Sequence, residues 1–186
     1  MNSDALRRLV LVLIVAVSPA PAMAGQQTYE SCSLIAAEYL TVLQLASRGL
    51  DAETLKASLP DISDPAKRRV DQLLAAAKKD GLLETYSTIN SEYSACAREV
   101  YRNQGLPQPG TRERRFHDCA GENRVRYDIT LGASMEAPAA AIKQDLSPVH
   151  HRMVDAIYRL YESEGPLVVF DNLAGELKHC LNRPAS

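Results

Sequence analysis

Apolar residues recur along this chain at intervals of three and four, the spacing that gathers side chains on one face of an α-helix. Gly, Pro and capping residues punctuate the pattern. Gln26 to Ser47 predicts a first helix, with Leu34, Ala37, Thr41 and Leu45 on one face and Ile35, Tyr39, Val42 and Ala46 widening it. Cys32 lies near its start. Gly49 is its stop, because glycine accepts the left-handed conformation at a helix end. Asp51 then caps a short helix, Ala52 to Ser58. After the turn Leu59-Pro60-Asp61-Ile62-Ser63, the pair Asp64-Pro65 starts a third helix that runs to about Lys79. Its inward face is Val70, Leu73, Leu74 and Ala77. Asp80-Gly81 ends it. Leu82 to about Arg102 is a fourth helix, with Leu83, Tyr86, Ile89, Tyr93, Cys96, Ala97 and Val100 on one face.

Asn103 to Thr111 holds two Gly and two Pro, the composition of a connection between halves. A helical region follows from Phe116 to about Leu131, with Cys119 near its start and Gly132 just past its end. The alternation in Tyr127 to Leu131 is also compatible with a short strand. Ser134 is the expected cap of a short helix, Met135 to Lys143, with Pro138 in its first turn. Ser147-Pro148 repeats the signal of Asp64-Pro65 ahead of a helix from His150 to Glu162. Glu164-Gly165-Pro166 breaks it, and Leu167 to Leu181 is the last helix, leaving Asn182 to Ser186 to fray.

The pattern states itself twice. Val70-Asp71, Gly81 and Cys96 recur as Val154-Asp155, Gly165 and Cys180, all at one offset of 84 residues. Between these anchors Leu73, Leu74 and Ala77 become Ile157, Tyr158 and Tyr161. Leu83, Tyr86, Ile89 and Tyr93 become Leu167, Phe170, Leu173 and Leu177. The expected fold is all-α: a duplicated, disulfide-stapled helical module whose two four-helix halves, residues 25–104 and 105–186, pack as one compact unit. The first helix of the second half reads about four residues shorter between Cys and Gly. The plainer alternative is two amphipathic helices that match by chance.

The chain start changes the setting. Arg7 and Arg8, the apolar run Leu9 to Val17, Pro19 and Pro21, and Ala22-Met23-Ala24 form the pattern of a secretory signal over residues 1–24. Cleavage after Ala24 would leave Gly25 first and a periplasmic or secreted protein; an uncleaved anchor is the alternative. The apolar run falls short of the roughly 20 residues of a spanning helix. No Cys stands directly after the cleavage pattern to carry a lipid anchor, and no other segment could span a membrane. Without Asp4, Arg7 and Arg8 the remaining 19 basic and 22 acidic side chains give a net charge of −3 with His neutral. That balance argues against a nucleic-acid partner. The four cysteines, Cys32, Cys96, Cys119 and Cys180, read as two disulfides in an exported chain. If the halves fold alike, Cys32 pairs with Cys96 and Cys119 with Cys180. The rival is Cys96 with Cys119 and Cys32 with Cys180.

Candidate chemistry is sparse. No nucleophile elbow, zinc-protease helix, P-loop, dinucleotide fingerprint or C-x-x-C occurs, so no catalytic residue and no cofactor is assigned. His117, Asp118 and His179 flank Cys119 and Cys180 and would make a zinc set only with reduced thiols. No metal site is therefore assigned. His150 and His151 are adjacent, point about 100° apart and read as solvated. Glu162 and Glu164 read as solvent-facing charges rather than a hydrolytic pair. Arg112, Arg114, Arg115, Arg124 and Arg126 are the one local excess of charge and a candidate partner patch, although Glu113, Asp118, Glu122 and Asp128 are interleaved. Tyr93, Tyr101, Tyr158 and Tyr161 stand on helical faces, as core or as an interface.

The Ala22-Met23-Ala24 signal end, Cys in the first helix, and the stretches Gly49-Leu50-Asp51-Ala52-Glu53 and Gly132-Ala133-Ser134-Met135-Glu136 carry a resemblance. With Cys near the end of the last helix, they resemble uncharacterised small exported α-helical proteins of Gram-negative bacteria with paired cysteines. The chain is also similar to periplasmic immunity proteins that neutralise cell-wall-degrading toxins. Neither likeness implies an activity. The expected function is non-enzymatic binding of another protein in the cell envelope. Alternatives are an immunity or inhibitor protein, a hydrolase with a dispersed active site, and a helical module holding a small apolar ligand between its halves.

Overall fold

Residues 27–58 and 63–183 are described by a computed structural model; the leader pattern and most of the turn after Ser58 lie outside them. Every regular element among these residues is helical. The first half comprises α1 (Tyr29–Ser47), α2 (Ala52–Ser58), α3 (Asp64–Asp80) and α4 (Leu82–Gln104). The second comprises α5 (Arg112–Ser134), α6 (Ala139–Asp145), α7 (His151–Glu164) and α8 (Pro166–Asn182), with a single 3-10 turn, Pro148–His150, feeding α7. α1, α4, α5 and α8 form a central four-helix bundle, and α2–α3 and α6–α7 pack on its flanks. One continuous core draws Leu40, Leu43, Tyr86 and Val100 from the first half and Phe116, Ile129, Val169 and Leu173 from the second. No helix among the described residues is long and apolar enough to cross a membrane.

Two disulfides join Cys32 to Cys96 and Cys119 to Cys180, with Cα separations of 5.9 and 5.8 Å. The rival pairing across the halves is excluded. Each bridge ties a first helix to a fourth.

Helix boundaries and buried positions recur along the chain at two offsets. α3 and α7 end at Asp80 and Glu164, and α4 and α8 begin at Leu82 and Pro166, each 84 residues apart. Gly81 and Gly165 take the same left-handed φ of 92° and 84° between them. The first helices correspond at 87 residues, the spacing of Cys32 and Cys119. At that offset buried Tyr29, Ser33, Ala36, Leu40, Val42 and Leu43 match buried Phe116, Ala120, Asn123, Tyr127, Ile129 and Thr130.

This register corrects the reading of the second first helix. α5 begins at Arg112, capped by Thr111 whose hydroxyl accepts the Arg114 N–H at 3.1 Å, and so gains a turn ahead of Cys119. The stretch 127–131 is helix, not strand. Gly132 lies inside α5, where a Cβ would meet Ile142 Cδ1 at 2.6 Å; it is small so that α6 can pack on it. The true counterpart of Gly49 is Glu136. Leu50 N–H reaches Leu45 O, and Ala137 N–H reaches Gly132 O, closing the same left-handed helix end. Ser134 therefore caps nothing: its hydroxyl donates to Leu131 O, and α6 starts four residues later than expected, behind Pro138. Glu136 holds φ at 59°, which disfavours a residue with a Cβ by about 1 kcal/mol. Glu136→Gly should raise stability by about that amount, read as a higher denaturation midpoint at unchanged slope.

The inward face of α1 is also rotated from expectation. Leu34 and Ile35 are 49% and 47% exposed, whereas Ser33 and Gln44 are buried. α1 touches α3, α4, α5 and α8, so most of its circumference is covered, and polar residues sit inward where they find partners. Ser33 Oγ lies 2.8 Å from the Tyr93 hydroxyl and donates to Tyr29 O. Gln44 donates to Asp171 O at 2.9 Å. Leu83, assigned to the face of α4, is 41% exposed.

Two buried phenols give the fold an alkaline limit. Burial pushes Tyr93 up to about 12, partly offset by the Ser33 hydroxyl. Burial raises Tyr86 as well, and the Asp171 carboxylate beside it adds to the effect. The folded state holds these protons more tightly than the unfolded one. Stability is therefore intact below about pH 10 and falls as pH rises toward about 12, by at most about 1.4 kcal/mol per pH unit per tyrosine. Urea titrations across that range should show the fall, and Tyr93→Phe should remove its share of the slope.

Candidate functional site

Two stripes of side chains face each other along α4 and α5. On α4 the stripe is Ser94, Ala97, Arg98 and Tyr101; on α5 it is His117, Ala120, Gly121 and Arg124. Both follow the i, i+3, i+4, i+7 spacing that aligns residues on one helical face. The helices run antiparallel, since Asn90 meets Asn123 while Tyr101 meets His117. Between them lies an open groove of about 650 Å³. It is deep because Ala97, Ala120 and Gly121 are small, and a Cβ at Gly121 would meet nothing within 4 Å.

One end of the groove is aromatic. Tyr29 reaches in from α1, with its hydroxyl donating to Gly105 O at 3.0 Å and its N–H donating to Glu113 Oε2 at 3.1 Å. The His117 ring stands edge-on to Tyr29, centroids 5.0 Å apart, and lies 6.2 Å from the ring of Tyr101. Burial raises the Tyr29 phenol, with Tyr101 and Glu113 adding to the shift. Tyr101 is 53% exposed, a large ring left against solvent.

The groove is cationic. Arg98, Arg102 and Arg124 line it and no carboxylate does. Arg102 pairs with Glu99 outside the lining, and Arg124 approaches Asp128 at 3.6 Å. Arg98 forms no ion pair with a described residue. Toward the inner end, Ser94 Oγ and Asn123 Oδ1 are buried without a hydrogen-bond partner among the described residues.

The arginines singled out from sequence do not converge. Arg112 binds Glu30 at 2.5 Å, Arg114 binds Asp118 at 2.9 Å, and Arg115 donates to Arg183 O at 2.7 Å. Arg126 bridges Glu122 and Glu176. Of the five, Arg124 alone lines the groove. Arg98 and Arg102 were missed; their signal was an i, i+4 arginine pair flanking an exposed Tyr on the outer side of α4, beside small Ala95 and Ala97.

His151, read as solvated, is half-buried, and its Nε2 lies 2.9 Å from Lys143 O and 3.3 Å from Leu146 O at the end of α6. His179 is exposed. Cys119 and Cys180 are oxidised, so the thiolates of a zinc set do not exist here. No cluster of three or more His, Cys, Asp or Glu among the described residues is placed to hold a metal ion. Glu162 and Glu164 are exposed at the end of α7. Tyr158 donates to Ala137 O at 2.7 Å and serves packing.

Ser94 and His117 invite a test as nucleophile and base. Ser94 lies seven residues before Tyr101 on α4, about 10 Å along the axis, and His117 faces Tyr101. The two share no hydrogen bond: Ser94 Oγ has no partner among the described residues, and His117 Nδ1 lies 3.0 Å from Asp118 Oδ1, so the nucleophile–base contact of a catalytic pair is absent among the described residues. Comparison of the chain with known protein families, curated proteins and solved structures found no match.

Proposed function

We propose that this chain is an exported, non-enzymatic helical protein that binds another protein, and that the groove between α4 and α5 is where it does so. The observation that carries this reading is the groove itself: open, floored by small residues, and bordered by an exposed tyrosine and three arginines. Tyr and Arg are the residues that dominate binding energy at protein interfaces. Two disulfides and the leader pattern of residues 1–24 support export to an oxidising compartment. The groove runs between a helix of each half, which fits two copies of one duplicated module creating a site where they meet. Ser94 and His117 share no hydrogen bond, which counts against the hydrolase alternative.

Affinity capture from the cell envelope under oxidising conditions tests the reading. The wild-type chain should retain one stoichiometric protein, and Gly121→Phe, which fills the groove from an uncrowded position, should release it. Absence of any stoichiometric partner, together with turnover of an envelope substrate, overturns the proposal. The exported chain should begin at Gly25 on N-terminal sequencing.

A further inference from the structure

We infer that the occupant of the groove is an acidic segment of a partner protein, with an apolar or aromatic side chain set between its carboxylates. The inference rests on the protein-binding reading above and adds the chemistry of the partner. Arg98 and Arg102 lie one helical turn apart on α4, and Arg124 faces them from α5. No carboxylate stands in the lining itself; Glu99 pairs with Arg102 and Asp128 approaches Arg124 from outside it, which leaves Arg98 as an uncompensated charge in a chain whose overall charge is −2. Local charge of the opposite sign to the whole is a mark of complementarity to a specific partner rather than of general solubility. Arg98 has no carboxylate partner of its own among the described residues, and Arg124 holds Asp128 only at 3.6 Å, so both guanidiniums are free to take a bidentate carboxylate.

The apolar part of the occupant follows from the walls. Ala97, Ala120 and Gly121 leave room for one large side chain, and Tyr101 with His117 offers ring faces at the mouth. A basic segment would meet three guanidiniums and no carboxylate in the lining. A purely apolar one would leave Arg98 without a partner.

A displayed library of random short peptides, selected on the disulfide-bonded protein, tests the inference. Enriched sequences should carry excess Asp and Glu around a bulky apolar residue, and their affinity should fall as ionic strength rises. Arg98→Glu with Arg124→Glu should weaken the enriched peptides by at least about tenfold. Gly121→Phe should abolish their binding. Arg152→Glu with Arg159→Glu, the same charge change at exposed positions of α7, should leave it unaltered, and thermal melts of all variants should show retained folding. Enrichment of basic or uncharged peptides, no enrichment, or binding indifferent to Arg98 and Arg124 overturns the inference. The two readings fail separately. A captured envelope protein that ignores the arginine reversals defeats the acidic occupant and leaves protein binding intact. Acidic peptides that obey the arginines, with no envelope protein captured, defeat the cellular role and leave the groove chemistry intact.

Discussion

Removing either disulfide should lower the stability of this protein by about 4 kcal/mol. Cys32–Cys96 and Cys119–Cys180 close sequence separations of 64 and 61 residues, long enough for the lost loop entropy of the unfolded chain to be large. Each links helices that pack extensively, α1 with α4 and α5 with α8, so the native state has little left to gain by opening them. Cys32→Ala with Cys96→Ala, and Cys119→Ala with Cys180→Ala, measured by guanidinium denaturation, separate the two contributions. The order of reduction is also set by the fold. Cys119 and Cys180 are 1% and 5% exposed, whereas Cys96 is only half-buried. A small thiol should therefore open Cys32–Cys96 first, seen by mapping alkylated peptides over time. Changes below about 1 kcal/mol in both double variants would show that packing alone holds the bundle.

Those bridges were legible in the sequence because the same order of elements recurs, with Cys early in a first helix and late in a fourth each time, although the cysteines recur at 87 residues in the first helices and 84 in the last. The same holds for the hinges at Gly81 and Gly165, where a required left-handed φ leaves few residue choices. The end of α5 was illegible for the opposite reason. Glu136 occupies the left-handed position that Gly49 fills in α1, and Gly132 answers a packing demand from Ile142 that no local pattern announces. The face of α1 misread because a helix enclosed on several sides has no single apolar stripe; Ser33 and Gln44 go inward to partners on other helices. The groove was legible in parts. Tyr101, His117 and Arg124 stood out singly, but only the antiparallel crossing of α4 and α5 brings them beside Arg98 and Arg102. The α5 arginines adjacent in sequence spread around the helix because successive residues turn 100°, and Arg112, Arg114, Arg115 and Arg126 each engage a group outside the groove.

Asn123→Ala should destabilise by about 2 kcal/mol, more than loss of one amide contact, with part of the cost offset because Asn123 Oδ1 is itself buried without a partner among the described residues. Asn123 Nδ2 donates to Asn90 Oδ1 at 2.9 Å, and Asn90 Nδ2 donates to Tyr86 O at 2.8 Å. Asn90 is fully buried and Asn123 nearly so, at the α4–α5 crossing. Truncating Asn123 strands the Asn90 carbonyl in an apolar core, a penalty of about 1 to 3 kcal/mol beyond the bond itself. Asn90→Ala strands the Asn123 amide in the same way. The double variant removes both donors and acceptors together. Its loss should be smaller than the sum of the singles by about 1 to 2 kcal/mol, a coupling that a double-mutant cycle in denaturant resolves. Additivity within about 0.5 kcal/mol would show that the pair is not coupled. The corresponding crossing of α8 with α1 shows the alternative: at offsets of 84 and 87 the matching residues are Ala174 and Ala36, both buried. Small apolar residues stand at the equivalent positions of one helix pair and a hydrogen-bonded amide pair at those of the other. The polar crossing is the one next to the groove, where Ser94 lies one turn beyond Asn90. The amide pair fixes how α4 meets α5 at its inner end, and with it the separation of the two stripes that any occupant must fit.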